Sequence, residues 1–150
     1  MNRMSKKLNK KGFTLAELLI VVAIIAVLVV VSVPIFSSKL EKAREAADVA
    51  NMRAAKAAAA SMYLTESDAN YADPFYYDAD NGVLQPKDKK SSINGYGQGT
   101  DTKGGVTYGE YYPDNTECKG QIIEVTITAP TTTDGEVEIG MKWVPAGTTK

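Results

Sequence analysis

The strongest pattern in the chain is an unbroken apolar run near the start of the sequence. Residues 18–36 are 19 uncharged residues, and 15 of them are Leu, Ile, Val or Phe. As an α-helix rising about 1.5 Å per residue, this run is roughly 28 Å long, close to a bilayer hydrocarbon core of about 30 Å. A single charge, Glu17, stands directly before it. The pattern predicts a transmembrane helix over residues 13–36.

The periodicity changes after this run. From residue 37 to about 66, apolar and small residues recur at spacings of three and four, which predicts an amphipathic helix rich in alanine. The repeating positions are Phe36, Leu40, Ala43, Ala47, Ala50, Ala54, Ala57 and Ser61. Charged residues, Glu45 and Asp48 among them, are assigned to the other faces. The small side chains permit close approach to a packed sheet or helix.

Residues 67–105 are rich in Asn, Asp, Gly and Ser and predict a loop region. The pairs Asn81-Gly82, Asn94-Gly95 and Gly104-Gly105 predict turns. Residues 78–82 resemble a calcium loop, but the glycine comes one position too early for that pattern, so a turn is predicted instead. Five of the twelve aromatic residues lie in this region, where they either form an adhesive surface or cover a small core. They include Tyr71, Phe75, Tyr76, Tyr77 and Tyr96.

Three strands are predicted after this region, at residues 106–112, 121–128 and 136–144. The second alternates well, with Ile123, Val125 and Ile127 on one face. The third alternates Val137, Ile139, Met141 and Trp143 against polar residues. The predicted fold class is therefore α+β, with a long N-terminal helix packed on a C-terminal antiparallel sheet of three or more strands. The sheet belongs to a head at 67–150, made of the loop region and strands at 106–150.

The junction before the apolar run carries a longer motif. Residues 10–20 read KKGFTLAELLI, after a leader with five basic residues and no acid. This junction closely resembles that of type IV prepilins. The resemblance implies that a membrane peptidase removes residues 1–12 by cutting after Gly12 and methylates the new N-terminus, Phe13. It also makes Glu17 the acidic assembly residue of that family, and Pro34 falls where many members have a proline.

The pairing of Glu17 with Phe13 has a physical rationale. Cleavage leaves an α-ammonium on Phe13 with a pKa of about 8 in water. In an apolar filament core a lone ammonium or carboxylate is costly, whereas the two together offset each other. The Glu17 carboxylate of one subunit would then fix the register of the next. Two simpler readings remain open: a plain signal anchor, and a Glu17 that reaches to the headgroups. A cleaved secretory signal fits poorly, because the run is too long.

Pro34 lies inside the predicted apolar helix. Proline removes one backbone hydrogen bond and clashes with the preceding turn. Neighbouring transmembrane helices tolerate such a kink. The expectation is a kink at Pro34, where the helix bends or unwinds on leaving lipid for a filament.

Composition excludes several classes. The chain has a net charge of -1, and without the five leader cations it has 12 basic against 18 acidic residues, so no nucleic-acid partner is expected. With no His and no nucleophile beside a base, it is not predicted to be an enzyme. No cofactor or metal is expected. The only cysteine, Cys118, is expected to be a buried small residue, so no intrachain disulfide can form.

These observations predict a structural subunit of a type IV pilus, used in adhesion, motility or aggregation. The precursor spans the cytoplasmic membrane once, and the assembled subunit is at the cell surface. The expected partners are further copies of the chain in a helical filament, the prepilin peptidase, and the pilus assembly platform with its ATPase motor. The alternatives are a pseudopilin of a type II secretion or competence system, and a single-span surface binding protein that does not polymerise.

Overall fold

A computed structural model describes residues 12–66, 68–100 and 117–147. The chain divides into two compact units between Ser38 and Lys39. The predicted strand at 106–112, the turn at Gly104-Gly105 and most of the leader lie outside the described residues. The regular elements are α1 (Leu15–Thr65), β1 (Phe75–Asp78), β2 (Val83–Gln85), a 3-10 helix (Lys87–Ser92), β3 (Gln121–Thr128) and β4 (Glu138–Pro145).

The first unit holds the apolar part of α1. Every side chain from residue 13 to residue 38 is exposed, on all faces of the helix. A helix that is apolar all round is suited to lipid or to the centre of an assembly. Among the described residues, α1 is the one helix long and apolar enough to cross a membrane, judged by length and composition.

The second unit contains a four-stranded antiparallel sheet in the order β2-β1-β3-β4. The longest ladder joins β3 and β4 and pairs Ile123 with Trp143 and Val125 with Met141. The centre of the sheet pairs Phe75 of β1 with Val125. The predicted bounds of β3 are confirmed, and β4 begins two residues later than the predicted 136.

The main core lies between the sheet and the part of α1 in this unit. Ile123, Val125 and Ile127 of β3 pack with Val49 and Met52 of α1, and all five are buried. The four alternating apolar residues predicted for the last strand pack against the same cluster. The alternation in β3 and β4 is therefore confirmed, and so is the α+β fold, a long N-terminal helix with an antiparallel sheet.

A smaller core covers the opposite face of the sheet. Tyr76, Ile93 and Ile122 are buried there, together with the partly buried Val144 and Ala146. Because both faces are covered, all four residues of β1 and half of those of β3 are buried. Of the aromatic residues left open between adhesion and core, Phe75, Tyr76 and Tyr77 are core.

The face of the amphipathic helix that packs on the sheet is not the alanine-rich stripe, although two other alanines, Ala55 and Ala59, are buried in the main core. All eight residues of the alanine-rich stripe are exposed, whereas Glu45 and Asp48, assigned to other faces, have no exposed surface. The buried face carries Val49 and Met52 and also a polar contact: the Asp48 carboxylate accepts hydrogen bonds from the backbone N–H groups of Gln98 and Gly99, each at 2.8 Å. The sheet therefore packs on the face that carries this carboxylate.

The same acid also holds the segment before β3. The buried Cys118 thiol donates to Asp48 Oδ2 at 3.0 Å. Two turns earlier in α1, Glu41 accepts hydrogen bonds from Thr100 N at 2.7 Å and from Thr100 Oγ1 at 2.9 Å. Two carboxylates of α1 thus tie the helix to chain segments about 50 residues away. Cys118 is buried, as predicted.

The assignment of 67–105 as loop alone is also wrong, because β1 and β2 form a hairpin there. Its turn is the predicted Asn81-Gly82, with Gly82 at φ 69°. The Asp78 carboxylate accepts from the N–H groups of Asp80 and Asn81 and from the Asn81 side-chain amide at 2.7 Å. These bonds build a turn, the predicted alternative to a calcium loop.

Candidate processing and assembly site

The junction lies directly before the first residue of α1. Gly12, Phe13 and Thr14 are outside the helix and exposed, and Phe13 has 82% of its surface accessible. The peptide bond between Gly12 and Phe13 is therefore in a non-helical, accessible segment. Cleavage at this bond would place a new ammonium at Phe13, two residues before the helix begins.

No packing explains the glycine at the predicted cleavage position. A Cβ built on Gly12 meets no described atom within 4 Å, and its φ is not one that favours glycine. Gly97, by contrast, would clash with the backbone of Cys118 at 1.8 Å, so packing does explain that glycine. The described fold therefore does not require a small residue at position 12.

Thr14 and Glu17 form a reciprocal capping box at the start of α1. The Thr14 N–H donates to Glu17 Oε2 at 2.7 Å, and the Glu17 N–H donates to Thr14 Oγ1 at 3.2 Å. This arrangement satisfies two N–H groups that a helix start otherwise leaves without partners. Local sequence therefore gives Glu17 a role within its own chain, in addition to the role that the resemblance implies.

The capping box also holds the Glu17 carboxylate near the junction. It uses Oε2, while a carboxylate offers about four acceptor positions on two oxygens. The other oxygen, Oε1, can accept a further donor such as an ammonium. Sequence reasoning missed Thr14, although the spacing Thr14-x-x-Glu17 is the usual signature of this cap.

Pro34 is part of α1, which continues through it. Two serines nearby donate to carbonyls one turn earlier: Ser32 Oγ to Leu28 O at 2.6 Å, and Ser37 Oγ to Val33 O at 3.1 Å. Such bonds often accompany bends in apolar helices. The kink at Pro34 stays a prediction.

Chemistry of other kinds has little support in the described part of the chain. Within it, no group of three or more Cys, Asp or Glu side chains is placed to hold a metal ion.

Burial raises the pKa of the Tyr96 hydroxyl well above its ordinary value. This hydroxyl is hydrogen-bonded within the sheet: it donates to Tyr77 O and accepts from Ile123 N, both at 2.9 Å.

Comparison with known protein families gives a match at this junction. A family model described as the prokaryotic N-terminal methylation motif matches residues 7–33. No curated protein and no solved structure matches the chain. The matched segment contains all of the junction residues predicted from the sequence: Gly12, Phe13 and Glu17.

The chain thus carries the prepilin leader signature found in type IV pilin-like proteins. This supports a protein of the type IV pilin or pseudopilin kind, processed as a prepilin. Proteins with this motif are structural, and the motif implies a prepilin peptidase and an assembly machinery in general. The apolar helix and the motif together fit a membrane-anchored precursor.

Proposed function

We propose that the chain is the structural subunit of a type IV pilus. The precursor is held in the cytoplasmic membrane by residues 13–36, is cut after Gly12 and methylated on Phe13, and then polymerises into a surface fibre. The observation that carries this proposal is the methylation motif at residues 7–33, with an exposed glycine that the described packing does not require.

Exposure in the first unit supports polymerisation. Residues 18–36 present apolar side chains on every face of α1, and the described part of that unit contains nothing that covers them. Lipid covers such a helix in the precursor. Packing against the same segment of other subunits would replace lipid as the cover, which explains how one segment serves both states.

The charge at the start of the helix supplies the register. An ammonium on Phe13 and the carboxylate of Glu17 are both costly in an apolar centre unless they are paired. The capping box holds the Glu17 carboxylate at the start of α1, beside the junction. The uncut precursor has no ammonium at Phe13, so processing would switch assembly on.

The alanine-rich stripe, seven of whose eight residues lie in the second unit, supports the same function. Its members are exposed although they lie at helical spacing, and six of them are alanine or serine. Small residues let neighbouring helices approach closely, here the helices of further subunits. The stripe would extend the contact between subunits beyond the apolar segment.

The mass of surface-sheared protein tests the processing step. We expect a subunit that lacks residues 1–12 and carries one added methyl group on Phe13. Replacing Gly12 with leucine, a change that meets no described atom within 4 Å, should leave full-length precursor in the membrane with its fold intact. Surface protein that retains residues 1–12, or that begins near Ser38, would contradict the proposal.

The length of the assembled form then separates the pilus from a pseudopilus. Long fibres at the cell surface, labelled by an antibody to the second unit, are expected for the pilus subunit. Processed and methylated protein that forms only short assemblies within the envelope would establish the pseudopilin role instead.

A further inference from the structure

We propose that a groove at the C-terminal end of α1 binds an extended peptide segment that carries lysine or arginine. The groove lies within the second unit, between the last turns of α1, the loop before β1, the β1–β2 hairpin and the start of the 3-10 helix. It is remote in sequence from the junction at Gly12, and the proposal holds whether or not the chain polymerises.

Two adjoining cavities make up this groove. The larger has a volume of about 770 Å³ and the smaller about 220 Å³. Both are lined by Met62, Glu66 and Leu84, so they form one continuous depression. The larger volume is within the range of about 300–1,000 Å³ that is usual for ligand sites.

The floor of the groove is apolar. Met62 of α1, Phe75 of β1 and Leu84 of β2 contribute side chains to it, with Pro74 and Pro86 beside them. The two prolines have no backbone N–H, so they add no hydrogen-bond donor at the edge of the site. The aliphatic stem of a lysine or arginine would pack on such a floor.

The rim of the groove is acidic. Glu66, Asp73 and Asp88 line it against one basic residue, Lys87. The end of α1 adds to this charge, because a helix C-terminus carries a partial negative charge and the last turn of α1 has no basic residue. A cationic group therefore complements both the side chains and the helix end.

The strand at the side of the groove favours an extended ligand. β2 is the last strand of the sheet in the order of the described strands, and Val83 is 45% exposed. An exposed strand edge offers N–H and C=O groups that an extended peptide can pair with. The acids do not form a metal-binding cluster in the part of the chain described, so a ligand that spans them fits better than a single ion.

The test is a binding titration with the full-length chain in zwitterionic detergent micelles. The probe is a fluorescein-labelled peptide of alternating valine and lysine, followed by anisotropy. We expect saturable binding that weakens as salt is raised, since the charges are exposed. The triple variant Glu66→Gln, Asp73→Asn, Asp88→Asn should weaken it about tenfold, because three exposed charge pairs of modest strength are lost.

A matched control changes the same charge elsewhere. Asp134→Asn, Glu136→Gln and Glu138→Gln are exposed positions outside the groove, and this triple variant should bind the probe as the unchanged chain does. If both triple variants weaken binding of the peptide equally, the weakening is due to net charge alone, and the proposal is overturned. Equal binding of a peptide with glutamate for lysine would also overturn it.

A second copy of the chain is the competing occupant. Sedimentation of the chain without peptide should show the same oligomeric state for the unchanged protein and the groove variant. Self-association that the groove variant abolishes and the control variant retains would assign the groove to another copy and refute a separate peptide partner.

Discussion

The two units of the molecule differ in which side chains they bury and which they expose. In the first unit, Leu, Ile and Val side chains are exposed all round the helix, and the single acid lies at its start. In the second, two charged side chains of the same helix, Glu45 and Asp48, are fully buried, while the alanine-rich stripe is exposed. The apolar side chains of the first unit have no cover within the described part of that unit, whereas the second unit buries its own core.

The two acids Glu17 and Asp48 show the difference most clearly. Each accepts hydrogen bonds from backbone N–H groups, but Glu17 serves a residue three positions away and Asp48 serves residues about 50 positions away. The first bond organises the start of α1. The second fastens a loop to a helix and stabilises a fold without a disulfide.

Removing residues 1–37 should have the largest effect on filament formation and little effect on the fold of the second unit. We expect complete loss of filaments, because the exposed apolar segment is absent. The remaining chain should be a soluble monomer with its sheet intact, since the first buried residue in the described chain is Glu45. Size-exclusion chromatography and circular dichroism measure both. Filaments from the truncated chain would contradict the assignment of assembly to the apolar segment of the first unit.

Asp48→Ala should be the most damaging single change within the second unit. It leaves the N–H groups of Gln98 and Gly99 without their acceptor, each at a cost of about 1–3 kcal/mol, so we expect a loss of about 3–5 kcal/mol in unfolding free energy. Urea unfolding followed by the fluorescence of Trp143, the only tryptophan, measures it. Arg53→Ala, an exposed change on the same helix, should cost less than about 0.5 kcal/mol.

Tyr96→Phe should have a smaller effect in the same unit. It leaves Tyr77 O and Ile123 N without the hydroxyl that joins them, at a cost of about 1–3 kcal/mol. Tyr71→Phe is the control, because the Tyr71 hydroxyl bonds to the exposed carbonyl of Glu66. Urea midpoints that are equal in the two variants would contradict the bridging role of Tyr96.

The Tyr96 hydroxyl also predicts a pH dependence. Burial raises its pKa above the value of about 10 in the unfolded chain. The protonated form is therefore favoured in the fold, so its stabilising contribution is present below about pH 10 and is lost as the pH rises above it. Urea midpoints between pH 8 and 11 should fall more steeply for the unchanged chain than for Tyr96→Phe.

Thr14→Val should have the smallest effect of these changes. It tests how far the capping box of the first unit holds the Glu17 carboxylate. It removes the acceptor of the Glu17 N–H and half of the capping box, at a cost of about 0.5–2 kcal/mol to the helix start. We expect processing to continue and fibres to be fewer, because the Glu17 carboxylate is less well held. Thr14→Ser keeps the hydroxyl and should restore the normal fibre number in electron micrographs.

The sequence predicts the local features of this molecule well. Residues 10–20 determine the junction, its motif and the start of the helix without help from distant residues. The alternation in β3 also needs no distant partner to be recognised, because a strand with one face on the main core repeats every two residues. The alternation in β3 agrees with the structure, and α1 begins at Leu15, two residues after the predicted start.

Features that depend on distant residues were missed. Alanine is small and only weakly apolar, so its spacing in α1 identifies a helix without showing which face packs. The buried face carries Val49 and Met52 together with Asp48, whose backbone partners lie about 50 residues further along. The β1–β2 hairpin was missed because its strands have only four and three residues, too few for a clear alternation.

We propose that the Glu17 carboxylate joins one subunit to the next rather than serving only its own helix. The direct measurement is electron microscopy of surface fibres from Glu17→Ala and Glu17→Gln, beside an immunoblot for the processed chain. We predict processed protein in normal amount and few or no fibres, because the buried Phe13 ammonium loses its partner at a cost of about 3–5 kcal/mol. Glu17→Asp should be intermediate. Abundant normal fibres from Glu17→Ala would contradict the account and leave Glu17 as a helix cap alone.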